Sequence, residues 1–175
     1  MADTSVLGDR RRIFKLMRQY ADHELFRSSI DARMDQMDSL HEAAHGIVAD
    51  AEGWHVTELF VCFSESYGYA KYLQTSKDRI TEVMVTAAPM VAFAMAYEQT
   101  WTIDSVFRGD RRKIKMMYLD GLTDAEVLEA VHRVRGILAS RWSVLLRVAG
   151  ELRIWGTISG AEFAALIHEE AMKSA

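Results

Sequence analysis

A run of fifteen residues without a charge, Val83 to Tyr97, constrains the fold of this chain more than any other feature. Its apolar residues fall on every helical face, so as a helix it belongs at the centre of a packed structure. It also holds the chain's one proline, Pro89. Proline removes a backbone N–H and crowds the preceding turn, so a kink is expected there. A helix that spans a bilayer needs about 20 apolar residues, and this run is shorter, which predicts a buried core helix. The rest of the chain has to enclose it. With 175 residues the chain is long enough, since a chain of this size buries about 70% of its unfolded surface. Cys62 stands alone, so neither a disulfide framework nor a cysteine zinc cage is expected. The expectation is a single domain over residues 1–175, with an arm over about 1–30 and a core over about 38–169.

The periodicity predicts which elements surround that helix. Asp9 to Ile30 is amphipathic at helical spacing, and its Arg10-Arg11-Arg12 run reads as a solvated first turn. Asp31 to Glu52 is helical again and closes at Gly53, a C-cap signal. Val56 to Phe63 is rich in β-branched and aromatic residues. A turn-like Ser64 to Ser66 separates it from a second candidate strand, Tyr67 to Leu73, which predicts an antiparallel hairpin. A third short strand is expected without an assigned position. Asp104 to Leu119 reads as a shorter helix. Thr123-Asp-Ala-Glu126 is a capping box that opens a long helix to about Ile154, and Ser159-Gly-Ala-Glu162 opens a final helix to about Met172. The predicted class is mainly α (α+β), a helical bundle with a small β-hairpin or sheet beside the helix that carries residues 41–45.

Charge narrows the choice of partners. Twenty-one Lys and Arg against twenty-five Asp and Glu give a net charge of -4, which predicts neither nucleic acid nor an anionic membrane as a partner. A DNA-associated role for Arg10 to Arg12 with Arg108 to Lys115 needs a contiguous basic face, and this balance disfavours one. The first residues, MADTSVLGDRRR, lack the apolar stretch of a secretory signal, so a cytoplasmic location is expected.

One motif carries chemistry. His41-Glu42-Ala43-Ala44-His45 is an H-E-x-x-H sequence inside a predicted helix. Residues four apart lie one above the other on a helix, where two imidazoles can share a zinc ion at about 2.0–2.1 Å each. Glu42 lies about 100 degrees round the helix from that line. There it can reach water at the metal without being a ligand, which makes it the candidate general base. A catalytic zinc needs a third protein ligand, and spacing leaves several. Glu65 follows His45 at a distance seen in thermolysin-like enzymes but falls in a predicted turn between strands. Asp110 follows Gly109, where the backbone can approach a metal closely. Asp104 and Glu98 are further options. His55, His132 and His168 read as surface residues, Cys62 as a small apolar strand residue, and the methionines as packing.

The segment LHEAAHGIVADAEGWHVTELFVC, Leu40 to Cys62, resembles the protease domain of the FtsH family of ATP-dependent zinc proteases. Thr86-Ala-Ala-Pro-Met-Val-Ala92 is similar to that family's second helix, and Gly109-Asp110 to the step that supplies its third zinc ligand. Trp142 to Ile167 is similar to its closing helices. The likeness spans about Asp38 to Glu169, and its specific part is His41 to His45. It implies a zinc site of His41, His45 and Asp110, with Glu65 as the alternative third ligand and Glu42 as the catalytic residue. Ala44 replaces the family's usual glycine, and Ala92 stands where a glutamate is common. No G-x-x-x-x-G-K-[ST] motif occurs, so the resemblance is to the peptidase domain alone, without the AAA ATPase module or membrane anchor.

These readings converge on a small zinc metallopeptidase of the metalloendopeptidase kind. It would cut peptides or flexible protein segments, alone or with a separate partner protein, and the hexamers of the family make a homo-oligomer an expectation as well. Val56 to Phe63 would receive an extended peptide as an added strand if one of its edges flanks the metal. The alternative is a non-catalytic regulatory or protein-interaction module derived from a protease domain. A closed fourth metal position favours the module and an open one favours the enzyme.

Overall fold

The computed structural model describes residues 34–62, 67–75, 78–96 and 107–173. In chain order these form α1 (Met34–Ala51), β1 (His55–Cys62), β2 (Tyr67–Leu73), α2 (Arg79–Ala96), α3 (Arg108–Leu119), α4 (Asp124–Ser140), α5 (Trp142–Trp155), β3 (Thr157–Ser159) and α6 (Gly160–Lys173). The fold is mainly helical, with one small antiparallel sheet packed beside the helices, as the α+β reading has it. The predicted arm over Asp9 to Ile30, its arginine run, the Ser64 to Ser66 turn and the candidates Glu65, Glu98 and Asp104 lie outside the described residues.

Helix α1 is enclosed almost all round. From Met37 to Ala49 only Asp38 is not fully buried. Its small residues, Ala43, Ala44, Gly46 and Ala49, keep it thin enough for α2, α5, β1 and β2 to pack directly against it. At Gly46 a side chain would press on Leu59 of β1 and Phe163 of α6, both at 3.2 Å. The helix ends at Gly53, whose positive φ of 79° suits a residue without Cβ. Gly53 N–H donates to Asp50 O and Trp54 N–H to Ala49 O, the pair of bonds that closes a Schellman motif.

Helix α2 is the second enclosed element, as its uncharged run predicts. It is long and apolar enough by composition to cross a membrane, yet most of it is covered by the surrounding fold. Asp78 caps it by accepting from Thr81 N–H at 3.0 Å. Helices α1, α3 and α4 pack on its sides.

The sheet runs β2-β1-β3 with both pairings antiparallel. The expected third strand is β3, three residues long, which pairs Ile158 with Leu59. β1 is therefore the middle strand with neighbours on both sides, which corrects its expected role as the receiving edge for a peptide. β2 lies at one end of the sheet.

Two further boundaries differ from expectation. The long helix predicted from Thr123 to about Ile154 is two helices, α4 and α5, that meet at Arg141 (φ -118°, ψ 24°). Leu138 and Leu145 are both buried, seven residues apart, so the apolar stripe runs through the break and hides it. Arg141 donates to Asp50 Oδ2 at 2.8 Å, a contact with the end of α1 that no local pattern reports. The helix predicted from Asp104 starts at Arg108. Both predicted capping boxes form. Thr123 N–H donates to Glu126 Oε2 at 2.7 Å, and Ser159 N–H donates to Glu162 Oε2 at 2.8 Å.

The junction of β3 and α6 leaves no room for a side chain. A Cβ at Gly160 would sit 2.5 Å from Val56 O and 3.1 Å from Thr57 Cα, and both obstacles are backbone. Gly160→Ala is expected to destabilise the fold by about 1–3 kcal/mol, the usual cost of overpacking. A lower urea midpoint with an unchanged slope checks it.

Candidate metal centre

Helix α1 presents His41, Glu42 and His45 toward the first turn of α3, which carries Asp110. All four side chains are buried. Two aromatic contacts hold the start of α3 in place. The Phe107 ring stacks on His41 at 5.3 Å and 18°, and meets Phe93 of α2 edge-on at 4.8 Å. Phe107 immediately precedes α3 and is fully enclosed, so this packing sets where Asp110 arrives. Sequence reasoning missed Phe107, because nothing local to it points at residue 41.

The donor atoms form a small triangle. His41 Nε2 and His45 Nε2 are 3.2 Å apart, and Asp110 Oδ2 lies 3.0 Å from the first and 3.5 Å from the second. A tetrahedral ion with bonds of about 2.0–2.1 Å separates its ligand atoms by about 3.3 Å. The three edges straddle that value. Glu42 Oε1 is further out, 3.9 Å from His41 Nε2. His41, Glu42 and His45 offer ligand atoms within 4.8 Å of one another, a group that could bind a metal ion.

The two histidines are held differently. His45 Nδ1 lies 2.8 Å from Val85 O of α2. A carbonyl only accepts, so Nδ1 carries the proton, and in the neutral ring Nε2 is left as a lone pair facing the triangle. His41 Nδ1 is buried without a hydrogen-bond partner among the described residues, so packing against Phe107 orients that ring.

Electrostatics follow from the crowding. Burial raises the Glu42 carboxyl above the ordinary carboxylate range, and His41 and His45 offset this only in part. Burial pushes Asp110 the same way, but the charge of His45 and hydrogen bonds from both imidazoles overcome it and hold that carboxyl well below its usual value. Burial works against a cation at His45, yet Asp110 beside it, with smaller help from Glu42 and Val85 O, raises its pKa. Tyr72 of β2 is pushed up to about 12 by burial and by the negative charges of Asp110, Glu42 and Glu82.

β2 closes the site on the Glu42 side. A Cβ at Gly68 would sit 2.7 Å from Glu42 Oε1, 2.8 Å from Glu42 Cγ and 2.9 Å from Phe60 O. The strand approaches the carboxylate this closely because residue 68 has no side chain. Neither Gly68 nor Tyr72 was a sequence candidate, since only the pairing of β2 with β1 brings them to the site.

The other histidines among the described residues are not brought there. His55, His132 and His168 are exposed, and Cys62 is half-buried at the end of β1. No family model matches the chain, and no curated protein matches it.

Proposed function

We propose that this chain is a zinc-dependent peptidase that hydrolyses peptide bonds in flexible segments. The observation that carries the reading is the donor triangle of His41, His45 and Asp110 with the Glu42 carboxylate just outside it. The resemblance of residues 40–62 to FtsH-type protease domains supports the same assignment. His41 and His45 would hold the ion through Nε2 and Asp110 through Oδ2, a two-imidazole, one-carboxylate set that suits zinc. A zinc ion there supplies a Lewis acid that polarises a carbonyl and brings the pKa of water to about 7.

The chain's own groups do the rest. Glu42 takes a proton from the attacking water at its carboxylate and gives it to the departing amide nitrogen. Its burial, which raises the pKa, suits a group that must hold that proton between the two steps. Gly68 lets β2 lie against Glu42 and fixes where its oxygen rests. β2 is an end strand of the sheet, and among the described residues only β1 pairs with it. An extended peptide added along its outer side would bring a carbonyl past Glu42.

The direct test is metal content together with cleavage of an unstructured peptide. The expected result is one zinc per chain, with hydrolysis that a chelator abolishes and zinc restores. Loaded protein that cleaves no unstructured substrate overturns the peptidase. Gly68→Ala gives a finer check. It is expected to keep the metal and lower kcat about 10²-fold, the scale of a misplacement of about 1 Å. Unchanged kcat would remove β2 from the account of the site.

A second reading keeps the metal without catalysis. His41, Glu42, His45 and Asp110 are each less than a tenth exposed, as a closed structural site requires. Hydroxamate binding to cobalt-loaded protein separates the two. A changed visible spectrum marks an exchangeable position and the enzyme, and an unchanged one marks the closed site.

A further inference from the structure

Helix α2 runs without interruption from Arg79 to Ala96 although Pro89 lies in its middle. Proline is the residue a helix interior tolerates least. It has no N–H for the carbonyl four residues earlier, and its ring presses that carbonyl outward. Four residues before Pro89 stands Val85, and the Val85 carbonyl is the one that accepts from His45 Nδ1 at 2.8 Å. All three residues are buried, so water does not substitute for either partner. The carbonyl deprived of its helical donor is thus the one that a buried imidazole on another helix uses.

We propose that Pro89 is a positioning residue for His45. By withholding a helical N–H and tilting the Val85 carbonyl toward α1, it holds the His45 ring with Nδ1 protonated and the Nε2 lone pair turned to His41 and Asp110. An ordinary residue at position 89 would place its N–H on the same carbonyl. A carbonyl can accept two bonds, but the restored donor draws it back along the axis of α2 and away from His45. The effect on metal binding rests on the metal-centre reading above, whereas the effect on the imidazole tautomer does not. Among the described residues His41 has no matching partner at Nδ1, so the Val85 bond is the one hydrogen bond that fixes an Nδ1 in the pair. Metal-binding histidines commonly depend on such a partner, and losing it costs about 10–100-fold in metal affinity.

The experiment compares the full chain, Pro89→Ala, and a variant carrying at position 89 the α-hydroxy acid with alanine's side chain. That last variant has an ester in place of the amide, so it lacks both the ring and the N–H. Nitrogen-15 spectra of the imidazoles, taken without metal at a pH where the His45 ring is neutral, report its tautomer, and zinc titration reports affinity. The wild-type chain is expected to show the Nδ1–H tautomer at His45. Pro89→Ala is expected to lose that preference and bind zinc about tenfold more weakly, with thermal stability no lower because alanine favours the helix. The hydroxy-acid variant is expected to keep the wild-type tautomer and to bind zinc more tightly than Pro89→Ala. Pro89→Ala with the wild-type tautomer and affinity overturns the proposal, as does a hydroxy-acid variant that fails as badly as alanine. A wild-type chain that binds no zinc, but whose His45 tautomer still follows residue 89, would discard the metal centre and leave Pro89 in its role.

Discussion

Glu42→Gln is expected to leave the metal bound and lower peptide hydrolysis by about 10²–10⁴-fold, the usual contribution of a positioned general base. Glutamine has the same shape and can occupy the same space beside Gly68, but it cannot take a proton. Glu42 Oε1 stands 3.9 Å from His41 Nε2, beyond the edges that Asp110 makes with either histidine. An amide in that place removes a proton acceptor without removing a ligand. Stability should not fall, because the variant replaces a carboxylate that burial already disfavours as an anion. Metal stoichiometry and kcat on one unstructured peptide decide the matter together. Loss of metal would make Glu42 a ligand, and full activity with metal retained would remove it from the acid–base chemistry.

Much of this site was legible in the sequence, for reasons that also explain what was not. The spacing of His41 and His45 is a local property of a helix, so their shared face and the separate direction of Glu42 follow from 3.6 residues per turn. Asp110 is a different case. Its approach to the histidines depends on Phe107 packing between His41 and Phe93, contacts between elements far apart in sequence. Spacing therefore left it among several acidic candidates, and only the family resemblance singled it out. β3 is too short to show an alternation, and it exists because β1 offers it Leu59 and its neighbours. The division at Arg141 was hidden for the opposite reason, since the buried stripe of α4 continues into α5 without a glycine or proline between them. Pro89 lies between these cases. The i-to-i−4 rule names Val85 as the carbonyl without a helical donor, but only the packing of α1 against α2 identifies His45 as the group that uses it.

Asp110→Ala is expected to weaken zinc binding by more than the roughly 10–100-fold that follows loss of a partner outside the ligand set, and to abolish hydrolysis with it. The reason is geometric as well as electrostatic. Asp110 Oδ2 makes two of the three edges of the donor triangle, and its carboxyl stays ionised despite burial because both imidazoles stabilise the anion. Removing it leaves two neutral nitrogen donors, with the Glu42 carboxylate outside that triangle. Asp110→Asn separates charge from shape, since the amide can reach the same point but is a poorer ligand, so an intermediate affinity is expected. Isothermal titration of the variants with zinc measures all of this without reference to activity. The result gains force beside Glu42→Gln, because the two carboxylates exchange roles under the competing assignment. If Asp110→Ala binds zinc as the wild type does while Glu42→Gln does not, Glu42 is the third ligand. Asp110 would then be the buried carboxylate outside the ligand set, and a peptidase would need it as the proton carrier; if Asp110→Ala kept hydrolysis as well as zinc, the proposed acid–base chemistry would fail.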